Sequence, residues 1–272
     1  MMQTGRFPEP GQPFDDAPFR RLNYGFAYEW VENAGNLDAL LAHLDALRAA
    51  DPSHCYLSTL DDTAQCSYTS GHAGHDVRLA FDAPDGMDWE DPLQLAAWEQ
   101  DGLQFRVQQL ANPDMVQTWA SVCGTLWASP DTVSGLLAAN RKPDQLLDEV
   151  IYIQRLPVSV EDTMIAGQPN GYFGDDWDTF QNHAIIGHLA TQWGYRFFGM
   201  GAAWMGFVRA TPLSSEQAAQ LVAELRDLYA TDKDEDVLQH PAWPALAQLL
   251  TTRRTLLLGY TENMADWADE AA

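Results

Sequence analysis

Apolar residues recur with helical spacing from Asn36 to Ala50. Leu37, Leu40, Leu41, Leu44 and Leu47 fall at i, i+3, i+4, i+7 and i+10. This puts the leucines along one side of a helix, and Asn36 can cap its start. Tyr24 to Val31 before it is aromatic-rich and strand-like, and Cys55 to Leu60 and Val77 to Phe81 read as strands. Asp91-Pro92 opens another helix, with Asp as N-cap and Pro as the first helical residue. It runs to about Gln100, and Gly102 stops it. Leu103 to Leu110 then alternates as a strand.

The order β-α-β-β-α-β recurs in the second half. Val150 to Leu156 is a strand, and Asp178 to Trp193 is a helix ending at Gly194. Tyr195 to Met200 and Trp204 to Arg209 form a hairpin across a Gly-Ala turn. Ser214 to Tyr229 is a helix with a Ser214/Gln217 capping box and an apolar face of Ala218, Leu221, Val222, Leu225 and Leu228. A short helix over Pro241 to Leu250 precedes a closing strand, Thr255 to Tyr260.

This order predicts an α+β fold of two tandem ferredoxin-like half-domains with antiparallel sheets, an internal duplication supported by element order alone. Residues 1–21, with Pro8, Pro10, Pro13 and Pro18, form an extended arm. Residues 22–111 are the first half-domain and 149–272 the second. A helical connector, 112–148, lies between them with breaks at Pro130 and Pro143.

Charge changes this picture. The chain has 39 acidic and 15 basic residues, a formal net charge of -24, and its lysines are Lys142 and Lys233. Such a charge repels phosphate backbones and anionic lipid heads, so the expected partners include no nucleic acid and no membrane. It favours a basic protein, a cation or solubility alone. Few lysines and many aspartates also occur in salt-adapted proteins. Residues 51–100 hold ten acidic residues against one base, Arg78. Asp82, Asp85, Asp88, Glu90 and Asp91 crowd around Trp89. Asp175, Asp176 and Asp178 surround Trp177, and Asp232 to Asp236 is a third acidic run.

Phe197 to Val208, the longest nearly apolar run, is too short to span a bilayer, and no secretory h-region opens the chain. The three cysteines have no framework spacing, so a reduced cytoplasm is expected.

Catalytic motifs are missing. The sequence has no Walker-type phosphate loop, no GxSxG elbow and no HExxH. Gly199-Met200-Gly201 is followed by Trp204 where a dinucleotide fingerprint needs glycine. No catalytic residue, cofactor or metal site is assigned. His54, Cys55, Cys66, His72 and His75 lie close in sequence, but their spacing matches no zinc module. They read as an exposed Gly/His turn plus buried thiols.

Two candidate sites follow. Tryptophan ringed by charge suits a protein interface, which nominates Asp82, Asp85, Asp88, Trp89, Glu90, Asp91, Asp175, Asp176 and Trp177 as partner-binding. Both acidic clusters also precede helices, where acids serve as caps. The other candidate is a ligand groove between the half-domains, with His183, His188 and Trp204 beside an aromatic hairpin.

Trp177 to Arg209 resembles an uncharacterised bacterial domain family of unknown function. In that family an Asn-His pair, here Asn182-His183, and a Trp-Gly, here Trp193-Gly194, lead into a Gly-rich hairpin. The resemblance implies no activity. In composition the chain is similar to bacterial immunity proteins that neutralise toxins. The expectation is an acidic, non-enzymatic protein-binding protein that inhibits a basic toxin or nuclease. An enzyme or small-ligand binder with an inter-domain groove is the alternative.

Overall fold

The leucine stripe forms α1 (Leu37–Ala50), with Asn36 accepting a hydrogen bond from the Ala39 amide and all five leucines buried. Burying a leucine fully is worth about 1.5–3 kcal/mol, so this face fixes how α1 sits on the sheet. The computed structural model describes residues 2–8, 19, 22, 24–230, 234–262 and 264. Most of the predicted arm, together with Asp232 and Lys233 of the third acidic run, lies outside the described residues.

Among the described residues, seven strands make one continuous sheet: β1 (Gln3–Arg6), β2 (Ala27–Glu32), β3 (Cys55–Ser58), β4 (Val150–Leu156), β5 (Arg196–Met200), β6 (Trp204–Val208) and β7 (Thr255–Gly259). Their spatial order is β1-β2-β4-β3-β5-β6-β7. Neighbours pair antiparallel except β3 and β5, which run parallel through Ser58 and Gly199. Glycine is needed at that junction, because a Cβ at 199 would lie 2.8 Å from both Leu60 Cδ2 and Ser58 Oγ.

The molecule is therefore mixed α and β with a mostly antiparallel sheet. The sheet is one, where element order suggested two. β4, expected to open the second half, inserts between β2 and β3. The larger of two apolar clusters runs from Leu40 and Leu44 of α1 to Leu225 and Leu256 near the other edge, and the smaller gathers Phe7, Tyr24, Cys66 and Tyr152.

The remaining helices are α2 (Thr63–Ala73), α3 (Pro92–Leu110), α4 (Trp119–Val122), α5 (Pro130–Arg141), α6 (Thr179–Trp193), α7 (Ser215–Tyr229), α8 (Glu235–Leu238) and α9 (Ala242–Leu250). Short 3-10 segments span Pro143–Leu146 and Glu161–Gly167. Pro130 and Pro143 each begin one of these segments instead of interrupting a longer helix. The Ser214 capping box and the left-handed Gly194 stop form as the sequence predicts, and Asp178 with Gln181 adds a capping box at the start of α6. Every residue of β6 and β7 is buried, so this end of the sheet is covered on both faces.

Two predicted strands are absent. Val77–Phe81 is a turn with Val77 exposed, held by the amides of Leu79 and Ala80 donating to the Asp76 carbonyl. Residues 103–110 continue α3 through Gly102. That glycine stays helical because it packs against Phe81, where a Cβ would come within 3.4 Å of Cδ1. Leu103 and Leu110 then share the buried side at a spacing of seven. In the other direction, α2 replaces the predicted open Gly/His turn. Its buried face is Thr63, Cys66, Ser67, Thr69, Ser70 and Ala73, which carries almost no hydrophobic signal.

Candidate functional site: an aromatic cleft beside the acidic segment

A cleft of about 990 Å³ opens between α2, α3 and the residues leading into β2. Leu95, Trp98, Glu99, Gly102 and Arg106 of α3 face it, at the spacing of one helical side. Tyr68 and His72 come from α2, Phe81 and Asp82 from the 76–82 turn, and Tyr24 and Phe26 from the approach to β2. Trp89 stands at the mouth, 58% exposed, with its ring edge-on to Trp98 at 5.4 Å. Phe81 packs on Phe105 of α3 at 5.5 Å. Arg106 is tied down: its Nε donates to the Ala166 carbonyl at 2.7 Å, and burial lowers its pKa.

A smaller cleft of about 380 Å³ shares His72 and His75 with the first and adds Asp76, Tyr172, Asp178 and Thr179. His72 lies edge-on to Tyr68 at 4.4 Å and stacks on Tyr172 at 4.7 Å. Tyr172 in turn packs on Phe173 at 5.2 Å. Tyr68, Tyr172 and Phe173 are exposed, as are Val77 and Leu93. Arg78 joins the turn after α2 to the start of α6. It binds Asp76 through Nε and Nη2, reaches Asp178 at 2.8 Å, and lies over the Phe180 ring.

The nominated acids divide by role. Asp91 caps α3, accepting from the amides of Leu93 and Gln94 and from the Gln94 side chain, and this holds its carboxyl below the usual range. Asp88 accepts from the Glu90 amide and closes the turn before the helix. Asp82, Asp85 and Glu90 are exposed around Trp89. Asp175 is exposed, whereas Asp176 is half-buried, and desolvation raises its carboxyl to about 6. Trp177 is a correction: it is 1% exposed, packs on Tyr229 and donates from Nε1 to Thr125 Oγ1, so it belongs to the core.

The three residues nominated for the groove fall in separate surroundings. Trp204 is fully buried in the core. His188 stacks on Trp119 at 4.0 Å, and its Nε2 lies 2.7 Å from Glu224, which also accepts from Trp193. His183 is half-buried, and desolvation lowers its pKa. None of the three lines either cleft.

Beneath the larger cleft lies a polar core. Gln168 Nε2 donates to Cys66 Sγ at 2.9 Å, and Cys66 donates to the Met200 carbonyl. Burial pushes the Cys66 thiol up to about 12, so it is held as an unreactive thiol. Asp61 accepts from the Ala203 amide through Oδ2 while Oδ1 is shut off from water, and desolvation raises this carboxyl to about 7. Among the described residues no cluster of three or more His, Cys, Asp or Glu is arranged to hold a metal, and no helix is long and apolar enough to cross a membrane.

Sequence reasoning missed Tyr68, Trp98, Tyr172 and Phe173. The last two carried a usable signal: paired aromatics between Gly171 and Gly174 are poorly placed for a core. Comparison with protein-family models, curated proteins and solved structures finds no match to this chain.

Proposed function

We propose that this chain is an acidic binding protein that holds a basic protein partner on the face formed by residues 68–93 and 172–175. The observation that carries the reading is the setting of Trp89. It is a largely exposed tryptophan at the mouth of an aromatic cleft, flanked by the exposed acids Asp82, Asp85 and Glu90. Exposed aromatics that cluster on one face mark interaction sites, and tryptophan is prominent among interface hot spots. The acids around it would speed association with a basic surface about 10- to 1000-fold at low salt.

An immunity protein that neutralises a basic toxin or nuclease is the specific form we favour. The net charge of -24 and the lack of catalytic motifs support it.

The test recovers partners from native lysate at low and high salt. The identified partner is then measured against the purified chain and a Trp89→Ala, Asp82→Asn, Asp85→Asn, Glu90→Gln variant. This variant spares the α3 cap Asp91 and the turn residue Asp88, so it keeps α3 intact. Loss of binding supports the face, and unchanged binding excludes it.

One observation favours a second reading, small-ligand binding. The cleft volume, about 990 Å³, lies at the upper end of ligand-sized cavities. Its location between α2 and α3 differs from the inter-domain groove first expected.

A further inference from the structure

We infer that Arg209 and Arg254, side by side at one end of the sheet, form a binding site for a compact oxyanion of the phosphoryl class. The site is built from other elements than the acidic face, and it stands whether or not that face holds a basic partner.

The ladder between β6 and β7 continues one residue past the strands. Val208 lies opposite Thr255, and the Arg209 amide donates to the Arg254 carbonyl at 2.8 Å. Arg209 and Arg254 are therefore a cross-strand pair with their side chains on one face. Like charges set opposite each other destabilise a sheet. Among the described residues neither guanidinium has an ion-pair partner, although the chain carries 39 acids. The local sequence accounts for this. Strands β5, β6 and β7 come from residues 179–215 and 237–261, which hold no Asp or Glu.

Tyr195, just before β5, completes the cluster. Its ring is 2% exposed, and the Arg209 guanidinium carbon lies 5.5 Å from the ring centre. The Tyr195 hydroxyl and Arg209 Nη1 are both shut off from water and without a hydrogen-bond partner among the described residues. Burial keeps the phenol protonated, so both groups are donors lacking an acceptor. Arg209 and Arg254 are only half-buried, so a ligand reaches the rest of each guanidinium from solvent. Neighbouring bases are already engaged: Arg253 donates to the Arg141 carbonyl at the end of α5, and Arg196 pairs with Asp45.

An anion seated against the pair offsets its repulsion and supplies acceptors. A carboxylate brings one charge and two oxygens in one plane. A phosphate monoester brings about two charges at neutral pH and three oxygens in different directions, which two guanidinium forks can bind through paired N–H groups. The net charge of -24 disfavours a long polyanion. Acids farther off than about 8 Å are largely screened at physiological salt, which admits a compact one.

The test titrates the full chain with pyrophosphate, and separately with an acetylated, amidated Gly-phosphoserine-Gly peptide, at ionic strength held constant with chloride. Calorimetry should show saturable binding of one phosphoryl ligand. Arg254→Gln should weaken it about tenfold or more, the loss of a charged hydrogen-bonding partner. Arg254→Lys keeps the charge without the fork and should fall in between. Tyr195→Phe should weaken binding about two- to tenfold. Arg226→Gln, at an exposed position near the end of α7, should leave it unchanged. Pyrophosphate should also raise the unfolding temperature of wild type and not that of Arg254→Gln.

Tighter binding of pyrophosphate assigns the site to a small phosphorylated ligand, and tighter binding of the peptide assigns it to a phosphorylated protein. Either supports the site if it depends on Arg254. Absence of saturable binding by both probes would overturn it, as would an equal loss in Arg226→Gln and Arg254→Gln, which would reduce the effect to general charge.

Discussion

Arg78 and Asp178, one hundred positions apart in sequence, meet at 2.8 Å between Nη2 and Oδ2. The same guanidinium holds Asp76 and lies over Phe180, so a single side chain fixes the 76–82 turn against the start of α6. Arg78→Met should cost about 1 kcal/mol, the upper range for a partly exposed ion pair. Urea denaturation measures this. Partner binding should weaken beyond what the stability loss explains, because the turn carrying Phe81 and Asp82 is freed.

Asn140 closes the open edge of the sheet. Its Nδ2 donates to the Leu257 carbonyl and its Oδ1 accepts from the Leu257 amide, both at 2.8 Å, as a neighbouring strand would. All four groups are buried, and a buried polar group left unsatisfied costs about 1–3 kcal/mol. Asn140→Ala should therefore destabilise by about 2–4 kcal/mol in chemical denaturation.

Asp61 makes stability depend on pH. Burial raises its folded carboxyl from 3.8 to about 7. The folded state thus binds a proton more tightly than the unfolded chain between those values. Stability falls as pH rises from about 4 through 7 and is lowest, for this group, above that window. Asp176, raised to about 6, acts in the same direction. Asp61→Asn keeps an oxygen for the Ala203 amide and removes the charge. Denaturation midpoints from pH 4 to 8 should show a flatter slope in this variant and a gain over wild type at pH 8. A parallel slope would show that Asp61 does not titrate in this range.

Cys66 should be silent toward thiol reagents in the folded protein. It is fully buried, its thiol is pushed up to about 12, and Gln168 and Asn170 close over it. Labelling with an aromatic disulfide at pH 8 should modify Cys66 only on unfolding. Fast labelling at Cys66 in the native state would contradict the closed polar core.

Elements carried by regular apolar spacing or by clear caps were legible in the sequence. α1, the Asp178 and Ser214 caps, and the β5–β6 hairpin are examples. α2 was not legible, because its buried face is made of Thr, Ser and Cys hydrogen-bonded into the polar core. Residues 103–110 misled because their local alternation competed with a helix that Gly102 and Phe81 carry through. The place of β4 follows from long-range pairing that no local pattern encodes.

The acidic segment shows the same division. Trp89 and its flanking acids could be nominated from sequence, and Asp91 is the cap that the Asp-Pro start implied. Trp177 could not be told from Trp89 by composition, since both sit among aspartates. Only packing separates the buried ring from the exposed one. The cleft depends on Tyr68, Trp98 and Phe81 converging from separate segments.

The most direct test of the account is the affinity of the purified partner for wild type and for the Trp89→Ala, Asp82→Asn, Asp85→Asn, Glu90→Gln variant across salt. The account predicts tight wild-type binding that weakens as salt rises. The variant should bind at least about tenfold more weakly, a loss of about 1.4 kcal/mol or more, with a shallower salt dependence. Equal affinity and equal salt dependence for the two proteins would contradict it.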